Sequence, residues 1–219
     1  MCEKLTIHSV MRALRFPLPG LEAQLPMAPQ PRVLPGDNGQ DGEPRQGAVL
    51  LLLYPQEGRL FLLLTRRSEH VLHHKGQIAL PGGAREAGDA SLWQTALREA
   101  AEEVAIAPGE VYYVGMLSPL YVAASHFEVH PFIGYAPVRP VFSPSNYEVS
   151  ALIEMPLCEI LGSEARRKEV WVRNGIERWV PMYLWDDHVI WGATAMMLSE
   201  LETLLRAEIK GCASPFPCS

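Results

Sequence analysis

The stretch GQIALPGGAREAGDASLWQTALREAAEEVAI, Gly76 to Ile106, reads as a short strand, a glycine-rich loop and a helix carrying three clustered carboxylates. With Glu99 set at zero on the helix, Glu102 falls near about −60° and Glu103 near about +40°, so all three share one face. Trp93, Leu97, Ala100 and Val104 fall between about +100° and +160° and form a stripe that can dock on a core. Ser91 followed by Gln94 is a capping-box start, with Asp89 as a competing cap.

Three helix carboxylates this close repel one another, and each like-charged pair costs a few tenths of a kcal/mol even when exposed. A solvated acidic face is the ordinary reading of such a triplet. Here it follows Pro81-Gly82-Gly83, with Arg98 at its flank. Mg²⁺ takes carboxylates, waters and phosphate oxygens together, so the arrangement suits metal-assisted phosphoanhydride chemistry.

These residues resemble the Nudix box: Gly, five residues, Glu, seven residues, then Arg-Glu-apolar-any-Glu-Glu-any-Gly-apolar. Arg98 to Ile106 matches the second half, with Ala105 at the usual glycine. In the first half Ala84 and Ala90 occupy the standard Gly and Glu positions. Gly83 and Asp89 stand one residue earlier, so the loop–helix joint holds one extra residue. That shift resembles the coenzyme A diphosphatase branch of the family. So does the upstream run Leu63-Leu64-Thr65-Arg66-Arg67-Ser68, Val71, His74-Lys75-Gly76-Gln77, Ala79-Leu80 and Pro81-Gly82-Gly83, with Val71 and Leu80 as apolar exchanges for the usual Leu and Phe. Further on, Ser125 to Gly134, Tyr147-Glu148-Val149 with Met155-Pro156-Leu157, and Ile190 to Ala195 resemble later segments of that branch.

The resemblance spans about residues 46 to 209. It implies the Nudix fold, an α/β/α sandwich with a mixed β-sheet, and strands alternating with two marked helices support that class independently. It implies hydrolysis of coenzyme A or a derivative to adenosine 3′,5′-bisphosphate and 4′-phosphopantetheine. Mg²⁺ or Mn²⁺ would sit on Glu99, Glu102 and Glu103, with Arg98 positioning a carboxylate. Arg66, Arg67, His74, Gln77, Gly82 and Gly83 would meet the substrate. Two alternatives stay open: hydrolysis of another nucleoside diphosphate derivative such as NADH, ADP-ribose or a dinucleotide polyphosphate, and a nucleotide-binding module without turnover. A homodimer is admitted.

The rest of the chain fits this frame. At 219 residues and 48% apolar it can bury a sizeable core. A net charge of −6 argues against a nucleic-acid binder. No apolar run reaches membrane-spanning length, and the start lacks a compact apolar block after a basic segment, which predicts the absence of a secretory signal. Cys2, Cys158, Cys212 and Cys218 are scattered away from zinc-ligand spacing, which predicts reduced thiols in the cytoplasm.

Residues 1–45 read as a Pro/Gly-rich extension, with Met11 to Phe16 a short helix or edge strand and Asp37 to Gln46 a mobile loop. Residues 46–210 form the catalytic domain and 211–219 a tail. Ala48–Tyr54 and Arg59–Thr65 read as a hairpin turning through Pro55-Gln56-Glu57-Gly58. Arg66, Arg67, His70, His73, His74 and Lys75 form a dense basic cluster suited to phosphates. Pro131 predicts that the strand Phe127–Tyr135 is an edge or bulged strand. His126 is read as a surface-loop residue, with an acid/base role as the sharper option. Glu148 or Glu154 is a candidate late metal ligand or base, with a structural role favoured for Glu154. Asn174-Gly175 predicts a two-residue hairpin turn. The last helix should run to about Ile209, with Met197, Leu198, Leu201, Leu204 and Leu205 facing the core.

Overall fold

Side chains from residue 48 to residue 64 alternate between two cores. Leu51, Leu53, Leu60, Leu62 and Leu64 belong to one, and Ala48, Leu50, Leu52, Tyr54, Phe61 and Leu63 to the other. That period of two makes a hairpin buried on both faces. The structure is a computed structural model that describes residues 5–31, 42–69, 75–145, 147–162, 165–173, 175–212 and 214–215. Its elements in chain order are α1 (Ile7–Ala13), α2 (Leu21–Gln24), β1 (Arg45–Gln56), β2 (Arg59–Arg67), β3 (Ile78–Ala79), β4 (Gly82–Ala84), α3 (Leu92–Val104), β5 (Tyr112–Met116), β6 (Leu120–Val122), β7 (Phe127–Tyr135), β8 (Val149–Pro156), β9 (Arg166–Arg173), β10 (Ile176–Trp185), β11 (His188–Trp191) and α4 (Gly192–Lys210).

Eight strands form a mixed sheet in the order β3-β2-β1-β7-β5, with β4 also pairing β1, β6 pairing β7 and β8 pairing β2. β1 and β7 run parallel and the other pairs antiparallel. α3 covers one face through Ala96, Leu97, Ala100 and Val104. α4 covers the other through Met197, Leu198, Leu201, Leu204 and Leu205, the apolar positions expected from its spacing. This is the α/β/α sandwich with a mixed sheet that the sequence implies. A second sheet, β11-β10-β9, stands beside it. Its β9–β10 register pairs Arg173 with Ile176, so the loop has the predicted two residues, of which Asn174 lies outside the described residues.

The segment before β1 is packed on α4. Leu5, Val10, Ala13, Met27 and Ala28 enter the α4-side core. Gln24 Nε2 donates to Glu200 Oε2 at 2.8 Å, and Ser199 Oγ donates to the Ala23 carbonyl at 2.6 Å.

Several boundaries and one strand position differ from expectation. The segment 11–16 belongs to a helix that starts earlier, at Ile7, because Thr6 and Ser9 form a capping box. The first hairpin turns on Glu57 and Gly58 alone, with φ of 51° and 73°, and Pro55 and Gln56 stay in β1. Of the expected loop 37–46, Arg45 and Gln46 begin β1, and residues 37–41 lie outside the described residues, as do His70, Val71, His73 and His74.

β7 is a central strand without a break, which corrects the edge reading drawn from Pro131. Its outer neighbour changes from β6, ending opposite Val129 at Leu120, to β5, ending opposite Phe132 at Met116. Pro131 falls in that gap, where no ladder N–H is demanded, and its carbonyl accepts from Leu117 N at 2.9 Å. Cys158 is disulfide-bonded, which corrects the expectation of four reduced thiols. Separation along a chain does not tell which sulfurs a fold brings together. Among the described residues no helix is long and apolar enough to cross a membrane.

Candidate active site

The helical wheel explains how differently the three carboxylates are exposed. Glu103 lies toward the apolar stripe and its side chain is 5% exposed. Glu99, in the middle, is 15% exposed, and Glu102, farthest from the stripe, 57%. Ser91 caps α3 by accepting from Gln94 N at 3.2 Å. The reciprocal arm is displaced by one residue: Gln94 Oε1 accepts from Ala90 N at 2.9 Å.

Asp89 does not compete for the helix N–H groups. It is buried, and its Oδ2 accepts from Glu86 N and from Thr95 Oγ1, each at 2.9 Å. Arg98 then reaches it twice, Nε to Oδ1 at 3.1 Å and Nη2 to Oδ2 at 3.2 Å. The same guanidinium meets Glu99 Oε1 at 3.0 Å, Glu102 Oε1 at 3.2 Å and the Ala84 carbonyl at 2.9 Å. The bond to Arg98, helped by the Glu86 N–H, holds the Asp89 carboxyl well below the usual range, and the same bond raises Arg98. Arg98 is thus a tie between the loop and two box glutamates.

Gly82 and Gly83 make room for this helix face. They pair with Val49 and Ala48 of β1. A Cβ on Gly83 would lie 2.5 Å from Glu99 Oε1, and one on Gly82 would lie 2.3 Å from the Ala48 carbonyl. The Gly82 backbone N–H weakly favours the charged Glu103 carboxyl. Their close approach is therefore to helix α3 and to β1.

Burial pushes the Glu103 carboxyl up to about 8, opposed by Arg67 and reinforced by Glu99 and Glu148. Glu99 is raised by burial, and Arg98 works against the rise while Glu102 and Glu148 add to it. Arg67 Nη1 stands 3.8 Å from Glu103 Oε1, while Glu103 Oε2 is buried without a hydrogen-bond partner. No group of three His, Cys, Asp or Glu side chains among the described residues already stands in metal-holding geometry. The donor set still fits a hard divalent cation. It offers oxygen ligands only, an excess of negative charge and an unpartnered buried carboxylate oxygen, and Mg²⁺ completes its shell with water and phosphate rather than a protein cage. An open hollow of about 530 Å³ bordered by Asp89, Gln94, Arg98, Glu102 and Pro108 lies beside Glu102 and the Arg98–Asp89 tie.

The remaining predicted residues divide. Arg67 joins the carboxylates. Arg66 points to the opposite sheet face, where its Nη2 meets His188 Nδ1 at 3.0 Å. Strand alternation separates the two arginines that the sequence groups together. Gln77 lies at the β2–β3 edge, its carbonyl accepting from Arg67 N at 2.9 Å. His74 lies outside the described residues.

His126 takes a left-handed backbone conformation with φ of 54°, and its Nδ1 is 3.0 Å from the Tyr121 hydroxyl. Glu154 is held by both Arg139 Nε and Nη2 at 2.6 Å and by the buried Tyr54 hydroxyl at 2.7 Å. That is a structural cluster on the sheet.

The sequence model of the NUDIX domain matches residues 44–173. The chain belongs to the Nudix family. A protein named "Uncharacterized Nudix hydrolase NudL" from Yersinia enterocolitica is 41% identical over 143 residues, 64% of this chain and 71% of that one. Its namesake in Salmonella paratyphi B is 42% identical over 161 residues, 72% of this chain and 81% of that one. The solved structure of the M. smegmatis Nudix hydrolase RenU aligns with a TM-score of 0.47 at 22% identity, covering 55% of this chain and 76% of that one. This Nudix hydrolase is an enzyme of diphosphate bonds, and Nudix hydrolases generally use divalent metal ions.

Proposed function

We propose that this Nudix hydrolase cleaves the diphosphate of coenzyme A or a derivative, releasing adenosine 3′,5′-bisphosphate and 4′-phosphopantetheine. The observation that carries the reading is the 3.8 Å approach of Arg67 to Glu103. It sets a cation suited to phosphate beside the carboxylates, and that cation comes from the segment Leu63 to Gly83, whose residues resemble the coenzyme A branch.

In this reading Glu99, Glu102 and Glu103 hold Mg²⁺ or Mn²⁺. When bound, the ion supplies polarisation of a phosphate oxygen and a more acidic water. The chain's own groups do the rest. Arg98, anchored by Asp89, fixes the directions of Glu99 and Glu102. Arg67 offers its guanidinium to a phosphate when Glu103 turns to metal. Gly82 and Gly83 let the helix face sit against β1. By the resemblance Gln77 would meet the substrate, and His74, assigned the same role, lies outside the described residues.

The test is hydrolysis of coenzyme A beside NADH, ADP-ribose and diadenosine polyphosphates, with Mg²⁺ and with Mn²⁺, the products resolved by mass. Selective release of adenosine 3′,5′-bisphosphate is expected. Preference for another substrate discards the coenzyme A assignment and keeps the diphosphate chemistry. Tight nucleotide binding with no turnover of any substrate overturns the catalytic roles.

A further inference from the structure

The loop before β8 is tied to the carboxylate helix at one end and to β2 at the other. α3 ends with carbonyls that no later turn of helix satisfies. Ser145 N donates to the Glu103 carbonyl at 2.8 Å, and Ser143 N to the Val104 carbonyl at 3.0 Å. Glu148 N and Val149 N close back on the Ser145 carbonyl at 3.1 and 2.8 Å. From the β2 side, Ser68 N donates to the Glu148 carbonyl at 2.8 Å, and Ser68 Oγ donates to the Tyr147 carbonyl. Ser68 is 3% exposed. In the β2–β8 register Arg67, the partner of Glu103, stands opposite Val149. Glu148 therefore enters the site on a backbone fixed at both ends. It lies near enough to Glu99 and Glu103 to repel both.

The geometry points to Ser68 as a positioning residue that holds Glu148 as the fourth carboxylate of the metal-binding face. This rests on the reading of Glu99, Glu102 and Glu103 as that face. In this reading Ser68 acts through Glu148 and not by its own contact with metal or substrate. Its amide and hydroxyl fix two successive carbonyls, which sets the direction in which the Glu148 side chain leaves the backbone. Supports of this kind commonly change metal affinity or activity about 10- to 100-fold.

The experiment uses the full chain with Ser68→Ala and Glu148→Gln, singly and combined. It reads kcat and KM on the diphosphate that the substrate panel identifies. It also reads Mn²⁺ affinity of the substrate-free protein by electron paramagnetic resonance. Each single change is expected to weaken Mn²⁺ binding and kcat about tenfold with KM nearly unchanged. The double variant should be no worse than Glu148→Gln alone, because a residue acting through another loses its effect once that other is gone. Independent losses that multiply would show that Ser68 only stabilises the fold, and the proposal would fall. Wild-type Mn²⁺ affinity in Glu148→Gln overturns it whether or not Ser68→Ala folds. Glu103→Gln separates the two levels. If Glu103→Gln binds Mn²⁺ normally, the metal-binding face itself is wrong and this inference goes with it. If Glu103→Gln loses Mn²⁺ while Glu148→Gln does not, only the inference on Ser68 and Glu148 fails.

Discussion

Arg98 and Asp89 are joined by two hydrogen bonds, Nε to Oδ1 at 3.1 Å and Nη2 to Oδ2 at 3.2 Å, although Asp89 lies on the loop and Arg98 two turns into the helix. The extra residue in the loop–helix joint and the shorter acid act together here. Asp89 turns inward to the guanidinium, and the guanidinium reaches two box glutamates from the other side.

Asp89→Asn keeps the size and removes the charge that Arg98 needs. Its kcat is expected to fall about 10- to 100-fold with a smaller change in KM, because Glu99 and Glu102 lose their common guide. The melting temperature should also drop. Because the folded-state Asp89 titrates below its unfolded value, its contribution to stability is present above about pH 4 and is lost as pH falls. The wild-type and Asp89→Asn stability curves should therefore converge in acid, which denaturant titrations from pH 7 to pH 3 will check.

Glu103 has the opposite sign. Its folded-state carboxyl is raised to about 8, above the unfolded value. The folded metal-free protein therefore binds the extra proton between about pH 4.5 and pH 8, and stability falls as pH rises through that window. Glu103→Gln should flatten this slope in EDTA and stabilise the metal-free protein at pH 8 by on the order of 1–3 kcal/mol, since the buried charge no longer has to form. Urea unfolding at pH 5 and pH 8 gives both numbers. Parallel slopes in the two proteins would place the titration elsewhere.

Glu102 is the least buried of the three, so Glu102→Gln should leave stability within about 0.5 kcal/mol of wild type. If it holds metal, kcat should fall about a hundredfold or more, the loss of several kcal/mol of charge stabilisation. A folded Glu102→Gln protein with wild-type turnover would remove Glu102 from the metal-binding set.

The helix, its Ser91 start, its shared acidic face and the long last helix were legible because each is written in local spacing. Most of what went astray depends on distant partners. Pro131 looked like an edge signal because the sequence does not say that β5 and β6 meet β7 on either side of it. Arg66 and Arg67 form one cluster along the chain, whereas strand alternation sends them to opposite faces. Glu103 as a buried acid was half visible on the helical wheel. The tie between Ser68 and Glu148 was not visible, because it runs mainly through backbone atoms that every residue possesses.

Ala105 ends α3 in the left-handed region, with φ of 60° and ψ of 27°, and is exposed. An alanine there costs about 1–2 kcal/mol that glycine avoids, while glycine gives part of this back through its freer unfolded state. Ala105→Gly should therefore stabilise the protein by about 0.5–1 kcal/mol with kcat unchanged. A thermal melt and a turnover assay on the same preparation decide it, and destabilisation would mean that the alanine methyl makes a packing contribution larger than its backbone cost.

Glu154 tests the division between chemistry and scaffold. Its carboxylate takes two bonds from Arg139 and one from the Tyr54 hydroxyl, and the Tyr54 side chain is fully buried. The Arg139 bonds hold its carboxyl below the usual range, whereas burial and then the Glu154 bond raise the Tyr54 hydroxyl. Glu154→Ala leaves that hydroxyl without its acceptor, which should cost about 1–3 kcal/mol of stability. The affected cluster lies on the α3-covered face of the sheet, but its bonds run among Glu154, Arg139 and Tyr54 and not to Glu99, Glu102 or Glu103, so kcat and Mn²⁺ affinity should stay within about twofold of wild type, an effect small on the scale of a lost catalytic group. Chemical denaturation beside steady-state kinetics separates the outcomes. A large loss of kcat with intact stability would move Glu154 from the scaffold into the reaction.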